Sequence, residues 1–375
     1  MGRERGRPRM RIGIDAHAIG TQIGGNETYI RQLLRGLHMV APETGILALV
    51  HADQHGKPDA GEGFPTYPLP VRSSWLRVPF ALPWIARKEK LDLIQVQYSA
   101  PPYSPCPYIV ALHDMVWIRF PETLPIIDRY RLAWLGTGTV RRARRVFVLT
   151  EAMKREAQEF YGAPAEKIDV VSPAVDFIYH PIADREELDA ARAKYNLPPE
   201  FILYVGALQP RKNLVRLAQA FARLKDRGLP HKLVFTGKRT FFGPIAESIE
   251  ALNLGDRLVF TGYVATEDLP RLMCASSAFA YVSLYEGFGI PVVEALACGV
   301  PVVTSTDPTM MEVSGGIAET CDPLSVDAIE AGLIKALTDD AFRRRCREEG
   351  PKWAGRYSLE NMGKAALDGY RKALQ

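Results

Sequence analysis

The chain has 375 residues, of which 47% are hydrophobic and 24% charged; this suffices for two compact domains and excludes a disordered or fibrous protein. The net charge is only +4, and the basic excess lies in residues 1–180, which hold 23 Lys and Arg against 18 Asp and Glu. The five cysteines form no C-x-x-C pair, so we expect a protein of the reducing cytoplasm. The sequence has no long apolar run and no apolar segment after the first arginines, so we expect neither a membrane-spanning helix nor a secretory signal.

Short β-rich runs alternate with amphipathic stretches, which is the pattern of parallel sheets joined by crossover helices. The strands predicted in the first half are Arg11–Asp15, Ile46–His51, Leu93–Gln97, Tyr108–Leu112, Val146–Leu149 and Asp169–Val171. The clearest helix is Asn26–Met39, in which an apolar stripe recurs at i, i+3, i+4 and i+7 from Ile30 and Asn26 can cap the first turn.

The alternation stops between Ser172 and Glu200, which predicts a boundary between a first domain, residues 1–180, and a second, residues 181–358. The strands predicted in the second half are Phe201–Val205, Lys232–Thr236, Leu258–Thr261, Ala278–Val282 and Val300–Thr304. The fold class is therefore α/β, with two doubly wound halves. Such sheets bind ligands at the carboxyl ends of their strands, so we expect a cleft between the halves.

The segment E-G-F-G-I-P-V-V-E, from Glu286 to Glu294, follows an apolar strand and opens a helix. Gly287 and Gly289 allow a ligand to approach the backbone, and Pro291 suits the first helical turn, so free N–H groups face the expected cleft. The two carboxylates would repel a phosphate but can accept hydrogen bonds from the vicinal hydroxyls of a sugar or ribose. The alternative is an ordinary strand-to-helix turn whose carboxylate is favoured by the helix N-terminus.

A second motif, G-A-L-Q-P-R-K-N, begins at Gly206 where another predicted strand hands over to a helix. Asn213 is interpreted as the helix cap. Arg211 and Lys212 stand at the strand's carboxyl end, where fixed cations can neutralise a diphosphate and stabilise it as a leaving group. The alternative is a pair of solvated charges, although cations beside a helix start oppose its dipole.

In the first half, Gly24 and Gly25 lie between a strand and its helix and can bring backbone N–H groups to a phosphate. The pattern is not G-x-G-x-x-G, so an NAD site is weakly supported. His113 ends a predicted strand, from which a side chain enters the cleft; its alternative role is that of a hydrogen-bonded structural residue. His17 ends a similar strand and is a weaker candidate.

Two further segments have a composition that suits an anionic surface. The segment Trp75–Arg87 mixes aromatic, aliphatic and basic residues, and Arg141–Arg145 contains four arginines. Together they fit a peripheral contact with anionic membrane. The alternatives are buried packing for the first segment, in which Pro79 and Pro83 limit regular helix, and a solvated helix end for the second.

The segment 286–294 resembles the E-x7-E motif of the retaining family 4 glycosyltransferases. The other pieces that agree in order are the Gly24-Gly25 loop, His113-Asp114, V-S-P-A-V-D ending at Asp176, V-G-A-L-Q-P-R-K-N at 205–213 and A-L-A-C-G-V-P-V-V at 295–303. The resemblance covers nearly the whole chain and is strongest from 201 to 325. It implies a GT-B architecture, in which two Rossmann-like domains face each other across a cleft and a C-terminal helix, here 359–375, returns to the first domain.

The resemblance also implies the function: transfer of a hexose from a nucleoside diphosphate sugar to a glycan or lipid-linked acceptor. The first domain would bind the acceptor and the second the donor, with no catalytic metal, no other cofactor and no nucleic acid partner. Catalytic roles are implied for His113, Glu286, Arg211 and Lys212. The donor would be held by Gly25, Gly206, Arg211, Lys212, Gly237, Val264, Glu286, Gly287, Phe288, Gly289, Ile290 and Glu294.

The chain departs from many relatives at Ala207, where they carry an arginine, so the phosphate contacts rest on Arg211 with Lys212 or differ from theirs. The P-R-K-N version also occurs in relatives resembling mannosyltransferases of polysaccharide assembly, which makes GDP-mannose the first donor to test. The alternatives are a nucleotide-sugar epimerase, a phosphorolytic enzyme, a non-catalytic protein that binds sugar nucleotides, and an NAD-dependent dehydrogenase. The expected location is the cytoplasm, with the inner membrane face as the site of any peripheral contact.

Overall fold

The computed structural model describes residues 10–21, 24–121, 136–224, 227–239 and 243–375. The chain divides into two compact units, one formed by Met1–Ala174 with Tyr357–Gln375 and the other by Val175–Arg356. Each unit contains its own parallel sheet and the helices that connect its strands. None of the described helices combines the length and the hydropathy needed to traverse a lipid bilayer.

The described residues of the first unit form a seven-stranded sheet in the order β3-β2-β1-β4-β5-β6-β7, with every neighbouring pair parallel. The strands are β1 (Arg11–Asp15), β2 (Gly45–His51), β3 (Thr66–Leu69), β4 (Leu93–Gln97), β5 (Tyr108–Ala111), β6 (Arg145–Val148) and β7 (Ile168–Val170). The helices between them are α1 (Gly24–Val40), α2 (Ser74–Leu76), α3 (Leu82–Lys88), α4 (Val116–Arg119) and α5 (Glu151–Tyr161). Residues 136–142 are also helical.

The described residues of the second unit form a six-stranded parallel sheet in the order β10-β9-β8-β11-β12-β13. The strands are β8 (Phe201–Val205), β9 (Lys232–Thr236), β10 (Leu258–Gly262), β11 (Ala278–Tyr281), β12 (Val302–Ser305) and β13 (Glu319–Cys321). The helices are α6 (Arg185–Lys194), α7 (Leu214–Leu224), α8 (Gly243–Glu250), α9 (Leu269–Ala275), α10 (Ile290–Ala297), α11 (Pro308–Ser314), α12 (Val326–Thr338) and α13 (Asp340–Ala354). The last helix, α14 (Leu359–Leu374), belongs to the first unit.

All eleven strands predicted from the sequence are present, within one or two residues at each end. The sequence misses β3 and β13, which lie at an edge of their sheets. Both are short, and most of their residues are only half-buried. Neither therefore has the continuous apolar run that identifies a parallel strand buried on both faces.

Of the two predicted helix caps, Asn26 is wrong, whereas Asn213 is confirmed in position, since its carbonyl accepts a hydrogen bond from Leu217 N at 3.1 Å. Helix α1 begins at Gly24, so Asn26 lies within its first turn, where its Oδ1 accepts a hydrogen bond from Tyr98 Oη at 3.4 Å. Asn213 does precede α7, but its Nδ2 donates to the carbonyls of Val282, at 3.0 Å, and Pro323, at 2.6 Å. The side chain of Asn213 therefore joins three loops at one end of the sheet.

The strand order reverses at one point in each sheet. In the first unit β1 lies between β2 and β4, and in the second unit β8 lies between β9 and β11. Connections leave such a pair in opposite directions and open a crevice beyond the strands' carboxyl ends. The candidate sites are therefore expected beyond β1 and β4, and beyond β8 and β11.

Helix α14 crosses α1 at two glycines. A Cβ atom on Gly363 would lie 2.2 Å from the carbonyl oxygen of Gly36, a distance that side-chain carbons do not adopt. Further along α14, Tyr370 Oη donates to Gln95 Oε1 at 2.6 Å inside the core. The C-terminal helix is thus packed into the first unit by backbone approach and by a buried hydrogen bond.

Candidate active site

Two segments meet at the carboxyl ends of the neighbouring strands β8 and β11. Arg211 and Lys212 lie in a 3-10 turn after β8, and Glu286 lies in the loop after β11. Arg211 Nη1 is 3.0 Å from Glu286 Oε2, and Lys212 Nζ donates to Glu286 Oε1. Arg211 also donates to the carbonyl of Tyr285 at 2.9 Å. A single carboxylate thus holds two cations at this end of the sheet.

Glu286 remains ionised although it is buried. Burial by itself raises the pKa of this carboxyl, but the attraction of Arg211 and Lys212 outweighs burial and lowers it to about 2. The three charged side chains together carry one positive charge at neutral pH. This arrangement can attract an anion while keeping carboxylate lone pairs for hydroxyl groups.

Two buried tyrosines that the sequence did not single out hold this cluster in place. Tyr281 Oη lies 2.7 Å from Lys212 Nζ and 3.2 Å from Glu286 Oε1. The ammonium group also lies 5.0 Å from the centroid of the Tyr281 ring, which stacks on Tyr204 at 5.6 Å and 11°. Both tyrosines belong to apolar strands, so their sequence pattern indicates core packing and gives no separate signal.

Glu294 has the opposite electrostatic environment. It lies on α10 and is 8% exposed. Burial raises the pKa of its carboxyl to about 8, and Asp176 adds to this effect, although a hydrogen bond with Tyr179 opposes it. Glu294 is therefore mostly protonated at neutral pH and can both donate and accept a hydrogen bond.

Three glycines line up at the carboxyl ends of β8, β9 and β10. Gly206 N donates to Thr236 O at 2.9 Å, and Gly237 N donates to Gly262 O at 2.8 Å. Gly237 has φ +139°, and a Cβ atom there would lie 2.0 Å from Gly206 O. A Cβ atom on Gly206 would lie 2.8 Å from Tyr204 Oη, so glycine at these positions allows the strand ends and their neighbours to pack closely. Val264, the predicted donor residue after β10, is buried.

The loop after β11 and the start of α10 contain the rest of the 286–294 motif. Gly289 has φ +86° and precedes α10, and a Cβ atom there would lie 2.5 Å from Met310 Cε. Pro291 lies in the first helical turn, as predicted. Gly287 and Phe288 are buried. Backbone groups rather than exposed side chains therefore form this part of the site.

His113 follows β5 in the first unit and has a defined tautomer. Gln97 Nε2 donates to the carbonyl of Asp15 at 3.2 Å, which turns Gln97 Oε1 toward His113 Nε2 at 2.7 Å. Burial, with a smaller contribution from His17, lowers the pKa of His113 to about 3, so the ring is neutral. The proton lies on Nε2, and Nδ1 is buried with no described protein partner. Nδ1 can therefore accept a hydrogen bond from a hydroxyl group.

A polar cluster beyond β1 was not predicted, apart from His17 as a weak candidate. Asp15 Oδ1 lies 3.0 Å from His17 Nδ1, and Asp15 Oδ2 lies 3.7 Å from the buried Arg77. The His51 ring stands edge-on to His17 at 6.4 Å. Burial raises the pKa of Asp15, but His17 and Arg77 outweigh it and lower the pKa to about 2. The available sequence signal was the position of Asp15 at the carboxyl end of β1.

Gly25, the remaining predicted donor residue, lies in the first turn of α1 in the first unit. Neither Gly24 nor Gly25 has another residue's atom within 4 Å of an ideal Cβ position. A side chain at either position would thus meet open space. Among the described residues, no three His, Cys, Asp or Glu side chains are grouped so that they could hold a metal ion.

Family models match both halves of the chain. Residues 185–353 match glycosyl transferases group 1, and residues 23–177 match glycosyltransferase family 4. O-antigen chain mannosyltransferase B from Escherichia coli is 31% identical over 267 residues, which cover 70% of each chain. Serotype-specific mannosyltransferase WbdA from Escherichia coli is 30% identical over 68% of this chain, which spans 33% of that longer protein.

Solved structures match over nearly the whole length. Sucrose-phosphate synthase from Thermosynechococcus elongatus has a TM-score of 0.78 at 20% identity, covering 97% of this chain and 98% of its own. HepE from Anabaena, in complex with UDP and glucose, has a TM-score of 0.74 at 18% identity, covering 96% and 99%. At these identities the likeness establishes the fold.

Proposed function

Since the chain belongs to the family 4 glycosyltransferases and has the GT-B fold, we propose that it is a hexosyltransferase that retains configuration. It moves the hexose from a nucleoside diphosphate sugar to a hydroxyl of a glycan or lipid-linked acceptor. The observation that carries this proposal is the pairing of Arg211 and Lys212 with Glu286 at the strand ends. Cations and hydroxyl acceptors stand side by side there, as a sugar joined to a diphosphate requires.

In the proposed reaction, the bond between the anomeric carbon and the diphosphate oxygen breaks, and a bond from the acceptor oxygen forms on the same face. The proton of the acceptor hydroxyl goes to the departing phosphate oxygen. Negative charge grows on the diphosphate during this step, and cations already fixed in place stabilise it without reorganisation. Arg211 and Lys212, held by Glu286 and Tyr281, suit this role.

Acidic side chains serve the hydroxyl groups in this proposal. Glu286 is a carboxylate whose oxygens can accept hydrogen bonds from the transferred sugar. We assign the ribose hydroxyls to Glu294, which is protonated and can both donate and accept. The flat base is assigned to the carboxyl ends of β8 and β9, where Gly206 and Gly237 follow the strands. His113, in the first unit, offers a hydroxyl the lone pair of Nδ1. The protein's task is thus to orient both substrates rather than to supply a nucleophile.

GDP-mannose is the proposed donor. Two observations support this choice: the mannosyltransferase relatives at about 30% identity, and the P-R-K-N motif at residues 210–213. HepE was crystallised with UDP and glucose, but its likeness to this chain concerns the fold alone.

The test uses the full chain with GDP-mannose, UDP-glucose or ADP-glucose, each with and without p-nitrophenyl α-mannoside. We expect GDP release and an α-linked product with GDP-mannose plus acceptor, read by chromatography and proton NMR. A changed sugar without acceptor would instead identify an epimerase. A large thermal stabilisation by GDP with no product from any donor would support a non-catalytic binding protein. Stabilisation by NAD, and by none of the sugar nucleotides, would contradict the proposal.

A further inference from the structure

The helical segment Ser74–Lys88 turns its largest apolar side chains toward solvent. It consists of α2, a π-helical turn at Arg77–Ala81, and α3. The exposed fractions are 58% for Trp75, 67% for Phe80 and 53% for Trp84. The alternative of buried packing for this segment is therefore wrong for its aromatic residues.

The opposite face of the same segment is well buried. Arg77 is 5% exposed and lies beside Asp15, while Leu82 and Ile85 are fully buried. The segment is thus anchored in the first unit, and the exposure of its aromatic rings does not result from loose packing. A contiguous apolar surface of this kind marks an interaction site.

The exposed rings of Phe80 and Trp84 border a groove of about 620 Å³. Its wall is completed by Leu76, by Tyr103, which is 68% exposed, and by several prolines. Tyr103 and Pro105 also line an adjoining depression of about 440 Å³, whose other walls include Arg142 and Arg144. Apolar and basic surface are therefore continuous, and we call the two together the aromatic-basic face.

The charged side chains that line the aromatic-basic face are basic. They are Arg87 in the groove and Arg142 and Arg144 in the adjoining depression, and neither lining contains an Asp or Glu. Arg87, Lys88, Arg142 and Arg144 are exposed, and no described carboxylate lies within 4.0 Å of any of them. Arg145 differs, because its Nε donates to Asp169 at 2.7 Å.

We propose that the aromatic-basic face docks on an anionic phospholipid bilayer. Aromatic side chains favour the headgroup region of a bilayer, which lies between the apolar lipid chains and water. The ammonium group of Lys88 lies next to these rings, with Nζ 4.8 Å from the centroid of the Trp84 ring. Exposed arginines add attraction to anionic headgroups.

Two features favour a bilayer over other occupants. A slot for a single lipid chain would enclose its lining, whereas Phe80, Trp84 and Tyr103 each leave more than half of their surface exposed. A second copy of this chain would bring like charges together, because Arg87 lines the groove and Arg142 and Arg144 line the adjoining depression. An anionic lipid surface matches both the apolar and the basic parts.

The test is co-sedimentation of the full chain with vesicles of phosphatidylcholine, with or without phosphatidylglycerol. We expect binding that requires phosphatidylglycerol and weakens as salt rises. Arg142→Gln with Arg144→Gln should weaken binding by about 30-fold, since each basic residue near the surface contributes a factor of about five. Phe80→Ser with Trp84→Ser should abolish sedimentation. The assay needs neither donor nor acceptor, so its failure is distinct from failure of the proposed transfer.

Matched controls come from the second unit. Arg344→Gln with Arg347→Gln changes the net charge equally at exposed positions, and Phe177→Ser removes an aromatic ring that is 84% exposed. Both controls should bind vesicles like the unmodified chain. No dependence on phosphatidylglycerol, or equal loss in test and control variants of unchanged melting temperature, would overturn the proposal. So would a dimer in sedimentation velocity that the Phe80 and Trp84 substitutions dissociate.

Discussion

The same isosteric substitution should have opposite effects at the two glutamates of the 286–294 motif. Glu286→Gln removes a charge that the fold stabilises, because Arg211 and Lys212 pair with it. Glu294→Gln removes a group that burial keeps protonated against its normal tendency to ionise. We therefore expect Glu286→Gln to destabilise the second unit at neutral pH and Glu294→Gln to stabilise it.

The magnitude for Glu294 follows from its pKa of about 8, compared with 4.5 for an ordinary glutamate. Above pH 4.5 the unfolded chain releases this proton while the folded chain keeps it, so stability falls with rising pH until about pH 8. At pH 7 the difference is about 2.5 pH units, or about 3 kcal/mol. Glutamine cannot ionise, so the variant escapes this loss and should melt about 6 to 12 °C higher.

Glu286 has the reverse sign. Its pKa is about 2 in the folded protein, against 4.5 in the unfolded chain. The stabilisation is present above pH 4.5 and is lost as the pH falls toward 2. Its size at pH 7 is about 3 kcal/mol, which Glu286→Gln should remove.

Differential scanning calorimetry of the two variants between about pH 5 and pH 7.5 checks both signs. The stabilisation by Glu294→Gln should be small at the acid end and grow with pH, while the destabilisation by Glu286→Gln should stay nearly constant. Destabilisation by both substitutions at pH 7, or a gain from Glu294→Gln that does not depend on pH, would refute the electrostatic reasoning.

Two further predictions concern the first unit and one the whole site. Gly363→Ala should destabilise the first unit by about 1–3 kcal/mol because its Cβ would meet Gly36. Gly243→Ala, at an open position, is the control. Equal melting temperatures of the two variants would contradict the close crossing of α1 and α14. Gln97→Leu should lower turnover and change the imidazole ¹⁵N shifts of His113, because it removes the hydrogen-bond acceptor of Nε2. Gln97→Glu, which keeps an acceptor, should preserve the tautomer and raise the pKa of His113. Unchanged shifts in Gln97→Leu would show that Gln97 does not set the tautomer of His113. Excess EDTA should leave transfer intact, since the proposed reaction uses side-chain cations to stabilise the diphosphate. Loss of activity that a divalent metal restores would contradict this.

Most strands could be predicted because parallel strands buried on both faces are apolar runs bounded by turn residues. The edge strands Thr66–Leu69 and Glu319–Cys321 lack such runs. The start of α1 was misplaced because a polar residue such as Asn26 suits both a cap and a first turn. The approach of Gly36 to Gly363 depends on two helices far apart in sequence, so no local pattern reports it.

In the candidate site, the sequence placed Arg211, Lys212 and Glu286 at strand ends but assigned them separate roles. Their mutual pairing follows from the adjacency of β8 and β11, which the spacing of motifs does not specify. The protonation of Glu294 requires its burial and the nearby Asp176, which only the folded chain reveals.

The first unit shows the same limit in two places. The pairing of Asp15 with Arg77 joins residues from distant segments. The aromatic residues of Ser74–Lys88 have a composition typical of a core, yet Arg77 lies inside while Phe80 and Trp84 lie outside. Composition alone therefore predicts that this segment packs or binds, but does not predict which side chains face solvent.

The central claim is that Lys212 and Arg211 stabilise the departing diphosphate. The most direct measurement is the single-turnover rate of Lys212→Met with saturating GDP-mannose and acceptor, compared with the unmodified chain. We predict a fall of about 100-fold or more, with the Glu286–Arg211 pair and the fold retained. A rate within a fewfold of the unmodified enzyme would contradict the claim.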